Sequence, residues 1–190
     1  MSPKEKIETY INLDSYSSSE GWVGFVEKSG CHTTKLCTQA VDEFFNYFSE
    51  DLKNAQSIFS LSYWSTTEAL LKDYDVGDCG SEIIKELQKL GWFKSETEQN
   101  KNFTMIDFYS YNKSDIHNLL LSIMVVGDTM GSVFVILPDR NLILYTHEDI
   151  GFGVISTDSS YCEAISFLSH MSKNSEFSSY KGILSADNKM

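Results

Sequence analysis

Two hydrophobic periods alternate along the chain. In CTQAVDEFFNYFSEDL (37–52), Ala40, Val41, Phe44, Phe45 and Phe48 recur at helical spacing. This predicts an amphipathic helix with an aromatic-rich buried face, opening near Cys37 or Thr38. GSEIIKELQKLGW (80–92) repeats the period through Ile83, Ile84, Leu87 and Leu90, with Ser81 placed to cap it and Gly91 to end it. DIHNLLLSIM (115–124), opened by Asn112 or Ser114 and stopped by Gly127, carries Ile116, Leu119, Leu120, Ile123 and Met124 on one face. DSSYCEAISFLSHM (158–171) does so with Tyr161, Ala164, Ile165 and Leu168, capped by Asp158 or Ser159.

Strand-like runs separate these helices: GWVGFVE (21–27), SIFSLSYWS (57–65), NFTMIDFYSY (102–111), SVFVILP (132–138), NLILYTH (141–147) and GFGVIS (151–156). Pro138-Asp139-Arg140-Asn141 suits a turn. Helices and strands alternate early, and three strands then follow one another. The order predicts an α+β fold, with a mixed or antiparallel sheet, a C-terminal three-strand meander and helices packed mainly on one face. Polar residues 1–20 are expected as a flexible lead-in, 21–173 as a single domain and 174–190 as a polar tail.

Composition narrows the class. With 190 residues, 42% of them hydrophobic, the chain can bury one substantial core. Its longest apolar runs are too short to span a bilayer, and no leader pattern opens it, so a cytoplasmic protein without membrane contact is expected. Cys31, Cys37, Cys79 and Cys162 form no CxxC pair, which points to free, mostly buried thiols rather than a zinc site. The 27 acidic residues against 15 basic ones give a formal net charge of -12. Such a chain repels nucleic acid and anionic membranes and attracts a basic partner.

Candidate chemistry is sparse. No GxSxG elbow or recognisable catalytic cysteine is present, and the four histidines (His32, His117, His147, His170) stand apart in sequence. GDTMGS (127–132) and GFG (151–153) lack the frames of phosphate-binding loops. KDYDVGDCGSE (72–82) starts like a calcium loop at Asp73, but its glycine comes one position early and Ile84 stands where the final glutamate belongs. In LYTHEDIGFGVIS (144–156), His147, Glu148 and Asp149 are adjacent, and strand alternation keeps neighbours from converging. They read as a polar turn. No catalytic residue, metal ligand or cofactor is therefore expected. Asp73, Tyr74, Asp75, Asp78, Glu82, Glu86, Glu148 and Asp149 are the candidate contacts for a basic protein, and a site built around His147 and Glu148 is the enzymatic alternative.

Residues 115–170, with the helix containing LLLSI (119–123), the run SVFVILPDRNLILYTHEDIGFGVIS (132–156) and a following helix, resemble an uncharacterised family of bacterial domains. That family has a Leu-Leu-x-Ala-Ile helix, a hydrophobic hairpin, and a Tyr-Asp-Asp-Arg-Gly turn leading into Asp-Val-Ile. The matching positions here are His147, Glu148, Asp149, Ile150 and Gly151, then Gly153, Val154 and Ile155. Ile150 replaces the arginine and Gly153 the later aspartate, so roles resting on those charges do not transfer. The family brings no activity with it. In type, the chain also resembles the immunity proteins of bacterial toxin systems: small, acidic, aromatic-rich α+β proteins. That likeness implies a cognate, basic nuclease-type toxin as partner, blocked by occlusion.

Overall fold

Each predicted helical stripe folds as a helix in the computed structural model, which describes residues 1–28, 33–63, 78–95, 103–125, 129–158 and 160–182. Helix α2 (Thr34–Tyr47) begins about one turn before the expected start at Cys37 or Thr38, because Thr33 is the cap and its hydroxyl accepts from the Leu36 N–H. Helix α3 (Asp78–Lys89) ends as expected: Gly91 takes a left-handed φ of 70°, and the Trp92 N–H reaches back to the Leu87 carbonyl. Helix α4 (Lys113–Val125) carries the Leu119/Leu120 stripe. Helix α5 (Cys162–Met171) departs from expectation at its start. Tyr161 precedes it in the left-handed region with no side-chain cap. Asp158 instead ties the loop, accepting from the Ser160 N–H and from the hydroxyls of Ser156 and Ser160.

The strands β1 (Trp22–Glu27), β2 (Gln56–Tyr63), β3 (Phe93–Ser95), β4 (Thr104–Asp107), β5 (Thr129–Leu137), β6 (Leu142–His147), β7 (Gly151–Ser156) and β8 (Ser178–Lys181) form one sheet. Its order is β3-β2-β5-β6-β7-β1-β8, and β4 shares the free side of β2 with β3. All described pairings are antiparallel except β2–β3, and β5-β6-β7 is the expected meander. The fold is α+β.

Side-chain alternation divides the core in two. Val23, Val26, Phe59, Leu61, Val133, Val135, Leu142, Leu144, Phe152 and Val154 belong with the apolar faces of α2, α3, α4 and α5. The alternate residues Ile58, Phe134, Ile143, Tyr145 and Ile155 form a second cluster. Ile7 of helix α1 (Pro3–Glu8) joins this one, so the helices do not all lie on one face.

Two terminal segments differ from the sequence-based expectation. The start of the chain, expected as a loose lead-in, folds α1 through a capping box, with Ser2 and Glu5 each accepting the other's backbone N–H. Ile7 and Ile11 are then buried, and Leu13 and Tyr16 pack on the same cluster. At the other end, residues 178–181 of the expected tail pair with β1 as β8. Among the described residues, no helix is long and apolar enough to cross a membrane.

Candidate functional site

Register across β6, β7 and β1 brings distant side chains together. His147 stands opposite Gly151. Phe25 pairs with Gly153 and Val26 with Phe152, so the next residue of β1, Glu27, falls beside Gly151 from the other side. A side chain from β6 and one from β1 thus flank a position that has none. Gly151 also lies tight against β1: a Cβ there would stand 1.8 Å from the Val26 carbonyl oxygen. The row above repeats the device, with Tyr145, Gly153 and Phe25. The Tyr145 ring covers Gly153, where a Cβ would meet it at 1.8 Å, and its hydroxyl accepts from the Trp22 indole at 3.0 Å. Gly153 therefore leaves room for the Tyr145 ring, and Gly151 for the close approach of the β1 backbone.

The turn supplies the third group. Glu148, Asp149 and Ile150 join β6 to β7, and Ile150 has φ 57°, a left-handed conformation that β-branched residues rarely adopt. Its side chain is fully buried in the helix-side core. This bend returns Asp149 to His147: its N–H donates to Nδ1 at 3.3 Å, and its Oδ2 lies 3.5 Å from the same nitrogen. The Lys28 N–H, donating to the carbonyls of Asp149 and Ile150, fixes the turn against β1. Ligand atoms of Glu27, His147 and Asp149 lie within 4.8 Å of one another, the one such three-residue group among the described residues. Phe25 stacks on the imidazole, with ring centroids 5.6 Å apart and 7° between planes. Tyr180 of β8 stacks on Phe25 in turn. One imidazole and two carboxylates in this arrangement can share a proton or coordinate a cation.

The sequence trio is thus split. Asp149 joins His147, whereas Glu148 points out exposed and belongs to no cluster. Glu27 was invisible as a partner in the sequence, because only the β1–β7 register brings it there. The proposed contact surface is divided as well. Asp73, Tyr74 and Asp75 lie outside the described residues, and Asp78 begins α3. Glu82 and Glu86 are exposed on that helix, Glu86 paired with Lys89 along it. Helix α3 packs with α4 and β3, at an edge three strands from β6. The described acidic candidates therefore form two groups, α3 and the β6–β7 turn.

The other described histidines are not isolated either. His117 on α4 stands 3.4 Å from Asp42 and stacks on Phe45, while His170 on α5 stands 3.2 Å from Glu43 and packs on Tyr47. Each has one carboxylate from α2; His147 has two, from separate segments. Of the thiols, Cys37 is buried, as expected, and Cys162 is exposed, because it sits at the solvent-facing start of α5.

Part of the positive charge is committed to ion pairs. The chain's single arginine, Arg140, donates through Nε to both oxygens of buried Asp51, at 3.0 Å, and through Nη1 to Glu163 at 2.9 Å. Those hydrogen bonds raise its pKa further. Lys4 pairs with Glu8, Lys28 with Glu176 and Lys89 with Glu86. By contrast the carboxylates of Glu20, Glu27, Glu50, Glu82 and Glu148 have no hydrogen-bond or ion-pair partner among the described residues. Comparison of the chain with protein-family models, curated proteins and solved structures finds no match.

Proposed function

We propose that this chain is a non-enzymatic binding protein that meets a basic protein partner with its acidic surface. In type it is a cytoplasmic immunity protein that neutralises a cognate nuclease-type toxin by occluding it. The observation that carries the reading is the charge distribution. A net charge of -12 coincides with a sole arginine locked between two carboxylates, while several glutamates stand unpaired among the described residues. Arginine is the side chain best suited to bidentate phosphate recognition, and here it is occupied, which argues against a nucleic-acid partner. Unpaired surface carboxylates instead steer a basic protein and speed its association. Glu82 and Glu86 on α3, with Glu148 and Asp149 at the β6–β7 turn, are the described acidic candidates for that surface.

The test is co-expression of the full chain with the product of the neighbouring gene, followed by capture and growth measurement. The expected result is a one-to-one complex with a basic protein, rescue of growth, and an association rate that falls steeply as salt is raised. A neighbouring product that is neither basic nor toxic, with no basic protein captured at low salt, overturns the reading. The enzymatic alternative now takes a different form: a catalytic role for His147 would use Asp149 or Glu27 as its partner rather than Glu148.

A further inference from the structure

We infer that the corner formed by Glu27, His147 and Asp149 is a binding site for a divalent transition-metal cation. Three observations converge on it. The first is the donor set. An imidazole nitrogen with two carboxylates neutralises a doubly charged ion, and the nitrogen directs selection toward zinc-like metals and away from calcium or magnesium, which favour oxygen donors. The second is geometry. Nδ1 of His147 and Oδ2 of Asp149 are 3.5 Å apart. An ion about 2.1 Å from each would see them at roughly the tetrahedral angle of ~110°. The Asp149 N–H bond to that nitrogen is long, at 3.3 Å, and gives way to a metal at low cost. Glu27 completes the set from β1, with its donor atom inside the 4.8 Å group. Its carboxylate has no hydrogen-bond or ion-pair partner among the described residues.

The third observation is preorganisation. The imidazole is held flat against Phe25, the turn carrying Asp149 is fastened to β1 by the Lys28 N–H, and Gly151, lacking a Cβ, lets the β1 backbone that carries Glu27 approach closely. The neighbouring ammonium of Lys28 is engaged by Glu176, so it does not fill the corner with competing charge. Neither of the other described histidines has this arrangement: His117 and His170 each face a single carboxylate. They are internal controls for adventitious binding by an imidazole–carboxylate pair.

The experiment is calorimetric titration of the full chain with Zn2+ at neutral pH, repeated with Ca2+, on the wild type and on His147→Gln, Glu27→Gln and His117→Gln. The expected result is one Zn2+ site with little response to Ca2+. Affinity should fall on the order of ten-fold or more in His147→Gln and Glu27→Gln and stay at the wild-type value in His117→Gln. A parallel measurement on the wild type, paramagnetic broadening of amide lines by the zinc-like ion Co2+, does not depend on variants folding. Its effect should centre on Phe25, Glu27, His147 and Gly151. Equal Zn2+ affinity in wild type and His147→Gln would place the metal on thiols or other groups and overturn the proposal. So would broadening centred on α2 and its histidine partners, or the lack of any localised broadening.

Discussion

Ile150 is the residue at which local preference and tertiary packing oppose each other most directly. A left-handed backbone costs a non-glycine residue about 1–2 kcal/mol, yet Ile150 holds φ 57° with its side chain fully buried. Burial of a side chain this size returns about 1.5–3 kcal/mol, so the conformation persists because the core takes hold of the side chain. This makes an unusual ordering of variants. At an ordinary buried position, Ile→Gly is worse than Ile→Ala by the further methyl group, about 0.8 kcal/mol. Here both variants lose most of the burial, at a cost of about 2–5 kcal/mol, but glycine alone is relieved of the left-handed penalty. Ile150→Gly should therefore be at least as stable as Ile150→Ala in urea unfolding. A glycine variant clearly the weaker of the two would show that the turn stores no such strain. None of this is legible in the sequence, where Ile150 stands between an acidic turn and a strand without signalling φ. The glycines beside it were legible as constrained positions. Their reason was not, because it lies in other strands: the Tyr145 ring over Gly153 and the Val26 backbone carbonyl against Gly151.

Among the elements, the long periodic ones were readable and the short, polar ones were not. Strand β7 spans the predicted residues, and α2, α3, α4 and α5 overlap their predicted stripes, since apolar period alone specifies a core-facing element. The missed elements include α1, β3 and β8, which depend on partners far away in sequence. Serine-rich surroundings hid the first, although Ser2 and Glu5 spelled its capping box. Strand β8 is a half-exposed edge strand, held by backbone pairing with β1 rather than by an apolar face. The N-terminal segment also titrates with the sheet it covers. Burial pushes the Tyr145 hydroxyl above its ordinary value of 10.0, opposed by the Trp22 hydrogen bond and reinforced by Tyr16. Burial likewise raises Tyr16, against the effect of its Ser132 hydrogen bond. With both values raised, the folded protein keeps protons that the unfolded chain has lost. The associated stability is complete below pH 10.0 and declines as pH rises from there through the raised values. Urea unfolding at about pH 8 and about pH 11 should show a loss that Tyr145→Phe reduces. An undiminished loss in that variant would locate the alkaline sensitivity elsewhere.

Over the whole molecule, charge affects folding and association in opposite directions. Twelve uncompensated negative charges on 190 residues repel one another in the folded state more than in the expanded chain. The described ion pairs do little against this. Lys4–Glu8 and Lys89–Glu86 are exposed pairs along single helices, each worth only about 0.3–0.5 kcal/mol. Arg140, bridging Asp51 and Glu163, joins the β5–β6 connection to the segment after α2 and to α5, but it is one arginine among 27 acidic residues. Salt at about 0.15 M shortens the screening length to about 8 Å, from about 30 Å at 0.01 M. Self-repulsion is mostly longer-ranged than 8 Å, whereas the hydrogen-bonded contacts of Arg140 are about 3 Å and partly shielded from solvent. Screening should therefore remove more repulsion than attraction. The thermal midpoint should rise as NaCl is increased from about 10 mM to about 150 mM, while association with a basic partner slows over the same range. A midpoint that falls with salt would mean that local ion pairs outweigh the net charge in holding the fold. The unpaired glutamates would then be less repulsive, and less available to steer a partner, than their number implies.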